Sequence, residues 1–282
     1  MKLLDKGAVF MLLSAFFAAF SGAVAKVLSE TMDPIEMVFY RNIIGVFIIL
    51  YGLKKAPVVV NKSKLHLLIL RGVFGSIAMV LFFYTIAHIP LGEAIVLNKT
   101  SPFFVTILAF YLMKESITKN TIFALIIGFI GIVLIMKPFG ISLSVEHLMG
   151  VLGGFFAAAA YATIKKIKDI YDTKLIMLSF MGIGSIIPVL LYLFTPYVTF
   201  HLYTDFFTWS LLIFMAVIST VSQWFLTKAY SLSKASIIGV VGYSSIPFAI
   251  GFGLVLGDAF PDLIVFAGIA LVVIGGILVS KK

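Results

Sequence analysis

The chain predicts an all-α integral membrane protein of ten transmembrane helices, arranged as two inverted five-helix repeats. Three observations predict it. Of 282 residues, 62% are hydrophobic and 12% charged, where a soluble domain carries roughly a quarter charged residues. Ten apolar runs follow one another with short breaks, most of them close to the roughly 20 residues that cross a ~30 Å hydrocarbon layer. The lysines and arginines fall between those runs and mostly on one side, as membrane topology requires.

Taken in order, the spans are 7–26, 35–53, 67–88, 92–113, 120–137, 148–165, 174–194, 207–228, 236–256 and 262–280, each bounded by charged, Pro, Gly or Asn residues. The first begins after Lys2 and Lys6 and passes Ala23-Val24-Ala25, which imitates a signal-cleavage site. That run is longer than a signal-peptide core, and the repeat below needs it as a helix, so it is read as retained. The second runs from Asp33-Pro34 to Lys54-Lys55, and the third from Lys64 to Pro90. The fourth contains the polar stretch Asn98-Lys99-Thr100-Ser101-Pro102. The fifth ends at Lys137-Pro138, the sixth at Lys165-Lys166, and the seventh starts at Lys174. The eighth lies between Asp205 and Lys228. The ninth holds Pro247, and the tenth closes before Lys281. The longest interruptions, 54–66 and 195–206, are too short to fold as independent domains, so one membrane domain without a soluble module is expected.

Charge then orients the spans. With the N-terminus inside, seventeen of the 21 Lys and Arg lie in inner segments, Arg71 and Lys114 among them as topology anchors. Lys26 and Lys137 lie outside, and Arg41 and Lys99 lie within spans. The bias predicts cytoplasmic termini, with 54–66 and 165–174 inside and 195–206 outside. The net charge of +9 is therefore topological. It does not imply a nucleic-acid partner, which would need those cations on one exposed face; the expected partners are the lipid bilayer and a small molecule, with the chain a monomer or homodimer.

The chain also resembles itself. A shift of 143 residues aligns Gly7 with Gly150 and Glu115 with Asp258, and brings FFAAF at 16–20 near FFAAAAY at 155–161. Five spans per copy force the two copies into opposite orientations. Inverted repeats of this kind build secondary transporters, with a midplane site between halves that rock against one another.

Across nearly its whole length the chain resembles the EamA family of the drug/metabolite transporter superfamily. The residues that carry the resemblance are FYR at 39–41, RGVFG at 71–75, FYTIAHIPLGEA at 83–94, Pro102 with the stretch to Leu112, Lys114 and Glu115, YSS at 243–245 and GDAFPD at 257–262. The pattern is similar to the subgroup that includes carriers of S-adenosylmethionine and amino acids. It departs in having Asp258 where Glu is common, and in placing Pro247 two positions later than the equivalent of Pro102. The resemblance implies a first EamA repeat over 1–137, a second over 148–280, a central cavity and alternating access.

Chemistry is sparse. Without a cysteine there is no disulfide, thiolate nucleophile or Cys-ligated metal. His66, His88, His147 and His201 lack a nucleophile or ligand partner at helical spacing, and no Gly-rich phosphate motif follows a strand pattern. The chain is read as a non-enzyme without cofactor or metal. Ionisable residues inside spans are costly unless they face a cavity or a partner. Arg41 lies six residues into its span and Lys99 at similar depth. Each has two readings: a group facing a substrate, or a charge paired elsewhere, Arg41 with Asp33, Glu36 or Glu93, and Lys99 with Glu93 or a helix C-terminus.

Pro102 removes the helical partner of the Asn98 carbonyl, and Pro247 that of Tyr243, so both helices are expected to kink there. Broken helices at corresponding places in the two halves point to a transporter's binding site. The candidate substrate-binding residues are thus Arg41, Asn98, Lys99, Thr100, Ser101, Tyr243 and Ser244, with Tyr84, Tyr161, Gln223 and Trp224 as walls and donors. Glu36 and Glu93 lie near outer span ends and no acid lies at midplane depth, which predicts facilitated transport or exchange. The substrate expected is a small polar or amphiphilic metabolite, an amino acid or related carboxylated compound. A lipid flippase, and a channel or scaffold, are the competing readings.

Overall fold

The computed structural model describes residues 6–58, 63–101, 103–105, 107–108, 119–136, 144–194, 200–201, 203–233, 238 and 241–280. Among them the structure is helical, without a strand. The helices are α1 (Lys6–Leu28), α2 (Pro34–Lys55), α3 (Leu65–His88), α4 (Leu91–Asn98), α5 (Lys119–Met136), α6 (Val145–Ile167), α7 (Thr173–Phe194), α8 (Phe206–Leu232), α9 (Ser245–Val255) and α10 (Leu263–Ser280). Six of them, α1, α2, α3, α6, α7 and α8, are long and apolar enough to cross a membrane.

The helix ends follow local chemistry. Asp33 caps α2 by accepting from the Ile35 N–H at 2.7 Å, Glu36 reaches back to the Asp33 N–H, and Pro34 occupies the first helical position, where no N–H is needed. Asp205 caps α8 through the Thr208 N–H at 2.7 Å, which holds its carboxyl below the usual range. Lys54-Lys55 close α2 and Lys165-Lys166 close α6, where a cation complements the helix dipole.

Small residues set the packing, as expected where lipid competes with every apolar contact. Helix α1 packs on α8, with Ala15, Ala19 and Ala23 buried, and the two are stitched by reciprocal bonds between Ser14 and Ser222 at 2.9 Å and by Ser21 to Ser219 at 2.5 Å. Helix α6 lies on α3, where Gly153 faces Leu81 and the Ala78 carbonyl, and on the end of α4, where Gly150 and Gly154 face Leu97 and Thr100; a Cβ on Gly154 would stand 2.2 Å from Thr100 Oγ1. Helices α5 and α10 cross so closely that a Cβ on either Gly131 or Gly268 would fall within 2.8 Å of the other's carbonyl oxygen. Helix α2 packs on α7, and α4 on α9. Under the 143-residue shift, α1–α8 and α3–α6 exchange places, while α2–α7, α4–α9 and α5–α10 each map onto themselves.

The two broken helices take a form slightly different from a proline kink. Helix α4 ends at Asn98, residues 99–100 turn, and helix resumes at 101. In the second half residues 241–242 are helical, 243–244 turn, and α9 starts at Ser245. Pro247 is thus the third residue of α9, within the first turn, where its missing N–H removes no intrahelical bond. The Tyr243 carbonyl is not freed: it accepts from the Ile246 N–H at 2.9 Å. This corrects the expected kink at Pro247 to a break at 243–244, three residues earlier. Pro102 lies outside the described residues. Large apolar side chains such as Phe47, Phe123, Phe129, Phe194 and Phe266 point outward, a surface that only lipid accommodates at this extent.

Candidate functional site

Between the halves lies a cavity of about 130 Å³. A single water needs at least about 10–15 Å³, so the cavity has room for several waters. Its wall comes from α1 (Ala18, Ser21, Gly22), α2 (Arg41), α3 (Arg71, Gly75, Ala78, Met79, Phe82, Phe83) and the end of α4 (Ile95, Asn98, Lys99). The second half supplies Ala157, Ala160 and Tyr161 of α6, Phe180 of α7, Ser219, Ser222, Gln223 and Leu226 of α8, and Ser245 of α9. Among the described residues no carboxylate is in the lining.

Three cations are. Arg41 is 3% exposed and Arg71 2%, and neither has an ion-pair partner among the described residues. Arg41 donates to Asn42 Oδ1 at 2.5 Å and approaches Met79 Sδ at 2.8 Å. The acids proposed to pair with it are occupied elsewhere. Glu36, fully buried, accepts from the His201 N–H and from Tyr203 Oη at 2.7 Å, and Glu93 faces His147 at 3.6 Å. Glu93 therefore does not hold Lys99 either.

Lys99 leaves the chain at the turn after α4, and its Nζ lies 3.5 Å from where a Cβ of Gly242 would stand. A cation from the break in one half thus reaches the residue beside the break in the other, and the bare backbone at Gly242 gives it space. Arg41 and Arg71 share a ring instead. Their guanidinium carbons lie 5.5 and 4.7 Å from the centroid of Phe180, and so within about 10 Å of each other. At that separation two like charges repel by about 1.7 kcal/mol at an effective dielectric constant of 20. Phe180 offsets part of this through its π face.

The RGVFG segment explains how α3 brings Arg71 there. A Cβ on Gly72 would stand 2.6 Å from the Ser179 carbonyl oxygen, so α3 and α7 approach backbone to backbone. A Cβ on Gly75, one turn on, would stand 2.1 Å from Arg71 Nη1 and 2.7 Å from the Phe180 ring. Glycine there leaves the slot in which the guanidinium lies.

Of the predicted site residues, Arg41, Asn98, Lys99 and Gln223 come together on the cavity wall, with Tyr161. The others lie outside the lining. Tyr84 stacks on His88 at 4.3 Å between centroids. Trp224 sits on the outer face of α8 against Phe10 and Phe225. Thr100 turns its Oγ1 back to the Leu97 carbonyl at 2.7 Å, and Ser244 does the same to Val241 at 2.7 Å. Ser101 and Tyr243 are buried behind the wall. Arg71, expected as an inner-face anchor, is the largest correction: it lines the cavity. Its position in the RGVFG stretch was the available signal, since two glycines beside an arginine suit a guanidinium lodged against a helix. Ser245, one residue after the predicted Ser244, was also missed.

Comparison with known proteins settles the family. The model of the EamA-like transporter family matches residues 5–137. The "Pseudopaline exporter CntI" of Pseudomonas aeruginosa (strain UCBPP-PA14) is 32% identical over 100% of this chain and 98% of its own length. The chain belongs to the EamA-like transporter family. This EamA protein is a multi-pass membrane transporter of small metabolites. A "Riboflavin transporter" of Brucella anthropi is 27% identical over 75% of each chain. A solved crystal structure shares the fold with a TM-score of 0.66 over 95% of both chains at 13% identity.

Proposed function

We propose that this EamA protein carries a small carboxylated metabolite, an amino acid or related compound, across the cytoplasmic membrane by alternating access between inverted repeats at 1–137 and 148–280, with both termini in the cytoplasm. The observation that carries the reading is the cavity between the halves, which presents Lys99, Arg41 and Arg71 and, among the described residues, no acid. A cation that is desolvated without a protein partner needs its counter-charge from what enters. A bare organic cation is repelled for the same reason.

The repeats supply the moving parts. Both halves contribute to the wall, each has a helix broken at cavity depth, and the helix pairs exchange or map onto themselves under the 143-residue shift, which suits halves that rock about the bound substrate. In this reading the substrate carboxylate rests at Lys99, with Asn98, Gln223 and Ser245 as neutral hydrogen-bond partners and Phe82, Phe83 and Tyr161 as apolar wall. Among the described residues no carboxylate lines the cavity, so in this reading transport is facilitated or an exchange, without a dedicated proton step through Asp or Glu.

Counterflow in proteoliposomes tests this. Among amino acids and related carboxylates, some accelerate exchange of a labelled congener. Lys99→Gln lowers that exchange at least tenfold, whereas Lys228→Gln, 6.0 Å from the Trp224 ring and off the cavity, leaves it unchanged. Equal exchange by wild type and Lys99→Gln refutes the placement of the carboxylate at Lys99.

A further inference from the structure

Lys99 alone would hold one carboxylate, and two buried arginines remain. Arg71 carries the clearest signature of an absent partner. It is 2% exposed, lines the cavity, and its Nε and Nη1 have no hydrogen-bond partner among the described residues. Buried guanidinium donors are satisfied in nearly all structures, because an unpaired one forfeits its hydration without return. The fold also builds a seat for this group. Gly75 leaves the slot for the Arg71 guanidinium, and Phe180 lies beside both arginines, its centroid 4.7 Å from the guanidinium carbon of Arg71 and 5.5 Å from that of Arg41. Two buried guanidiniums beside one ring, neither with an ion-pair partner among the described residues, are the groups with which proteins take the paired oxygens of an anion.

We infer that Arg41 and Arg71 over Phe180 form a second anion subsite, separate from Lys99, and that the transported metabolite carries two anionic groups. The inference rests on the proposed carboxylate at Lys99 and extends it. One group lies at the turn between Asn98 and Gly242, and the other is clamped between the guanidiniums where α2, α3 and α7 meet. The cavity, with room for several waters, accepts a short chain joining them. Carboxylate and phosphate share the required chemistry at the arginine pair: at least two oxygens with delocalised negative charge. The substrate class is therefore a dicarboxylate or a phosphorylated carboxylate.

The test compares probes that differ by one charge. Purified full-length protein in lipid nanodiscs is titrated calorimetrically with glutarate, its monoamide glutaramate, and 3-phosphoglycerate. Wild type is expected to bind glutarate or 3-phosphoglycerate at least tenfold more tightly than glutaramate, and the better of the two identifies the second group. Arg71→Gln abolishes that preference, whereas Lys99→Gln weakens all probes. Arg71→Lys, which keeps the charge without the planar fork, retains part of the preference. Should Arg71→Gln unfold, Gly75→Ala serves in its place by displacing the guanidinium from its slot.

Equal affinity of wild type for glutarate, 3-phosphoglycerate and glutaramate overturns the inference, as does a preference that survives in a folded Arg71→Gln or Gly75→Ala protein. Either result leaves the carboxylate at Lys99 standing if Lys99→Gln still weakens binding. Loss of the preference in Arg71→Gln with no effect of Lys99→Gln keeps the arginine clamp and removes the Lys99 reading. Failure of wild type to bind any probe overturns both.

Discussion

Asp258 joins three segments that are far apart in sequence, and removing it is expected to loosen that end of the bundle. Its Oδ1 lies 2.7 Å from Lys26 Nζ at the end of α1, and its Oδ2 accepts from the Leu91 N–H, the first of α4, at 2.9 Å. Lys26 in turn donates to the Ile89 carbonyl at 3.1 Å. The two charged side chains are 22% and 13% exposed, so solvent screens them only in part. A charge-assisted hydrogen bond of this kind contributes about 1.5–3 kcal/mol net, and an orphaned helix-terminal N–H costs about 1–3 kcal/mol. Asp258→Ala loses both and is expected to destabilise by about 3 kcal/mol. Asp258→Asn keeps an acceptor for Leu91 and is expected to cost about 1.5 kcal/mol, half of the alanine value. The assay is reversible unfolding in mixed micelles, with the cycle completed by Lys26→Met and the double variant. Once Asp258→Asn has broken the ion pair, Lys26→Met should add little, giving a coupling of about 1.5 kcal/mol. Additive single effects, or a loss below about 0.5 kcal/mol in Asp258→Ala, refute the view that this pair holds α1, α4 and the 257–262 segment together.

Tyr203→Phe removes a 2.7 Å bond to the buried Glu36 carboxylate and is expected to cost about 1 kcal/mol at neutral pH in the same unfolding assay. Burial and the neighbouring Glu36 charge push the Tyr203 hydroxyl above its ordinary value of 10.0. The contribution is therefore fully present below pH 10 and lost as the pH rises beyond that, so wild type and variant converge in alkali. Gly72→Leu drives a side chain into the Ser179 carbonyl and Ile183, with its Cβ 2.6 and 2.3 Å away; separating α3 from α7 should cost about 1–3 kcal/mol and be read as a lower melting temperature. Single cysteines placed in this Cys-free chain should be reached by an impermeant reagent from outside at position 201 and not at 62, and the reverse pattern refutes the proposed orientation.

The positions of the apolar segments were legible in the linear chain because crossing hydrocarbon is a one-dimensional requirement: about 20 apolar residues, then a polar stop. The expected 35–53, 174–194 and 262–280 differ from α2, α7 and α10 by at most two residues at either end. The breaks at 99–100 and 243–244 were legible for a related reason, since Asn, Thr, Ser, Gly and Pro interrupt an apolar helix wherever they fall. Azimuth was not legible. Gln223 and Trp224 are neighbours at the same depth, yet about 100° apart on a helix, and only the seat of α8 against α1 sends one to the cavity and the other to the lipid face. Helices apolar all round, such as α10, carry no stripe from which to read a face. Arg71 shows the limit most plainly. Six residues into α3 and close after Lys62 and Lys64, it has the linear surroundings of a topology anchor. It is buried because Gly72 lets α7 come within contact and sets Phe180 beneath it, an approach between segments a hundred residues apart. Charge depth is a property of the chain; what a charge faces is a property of the packed helices.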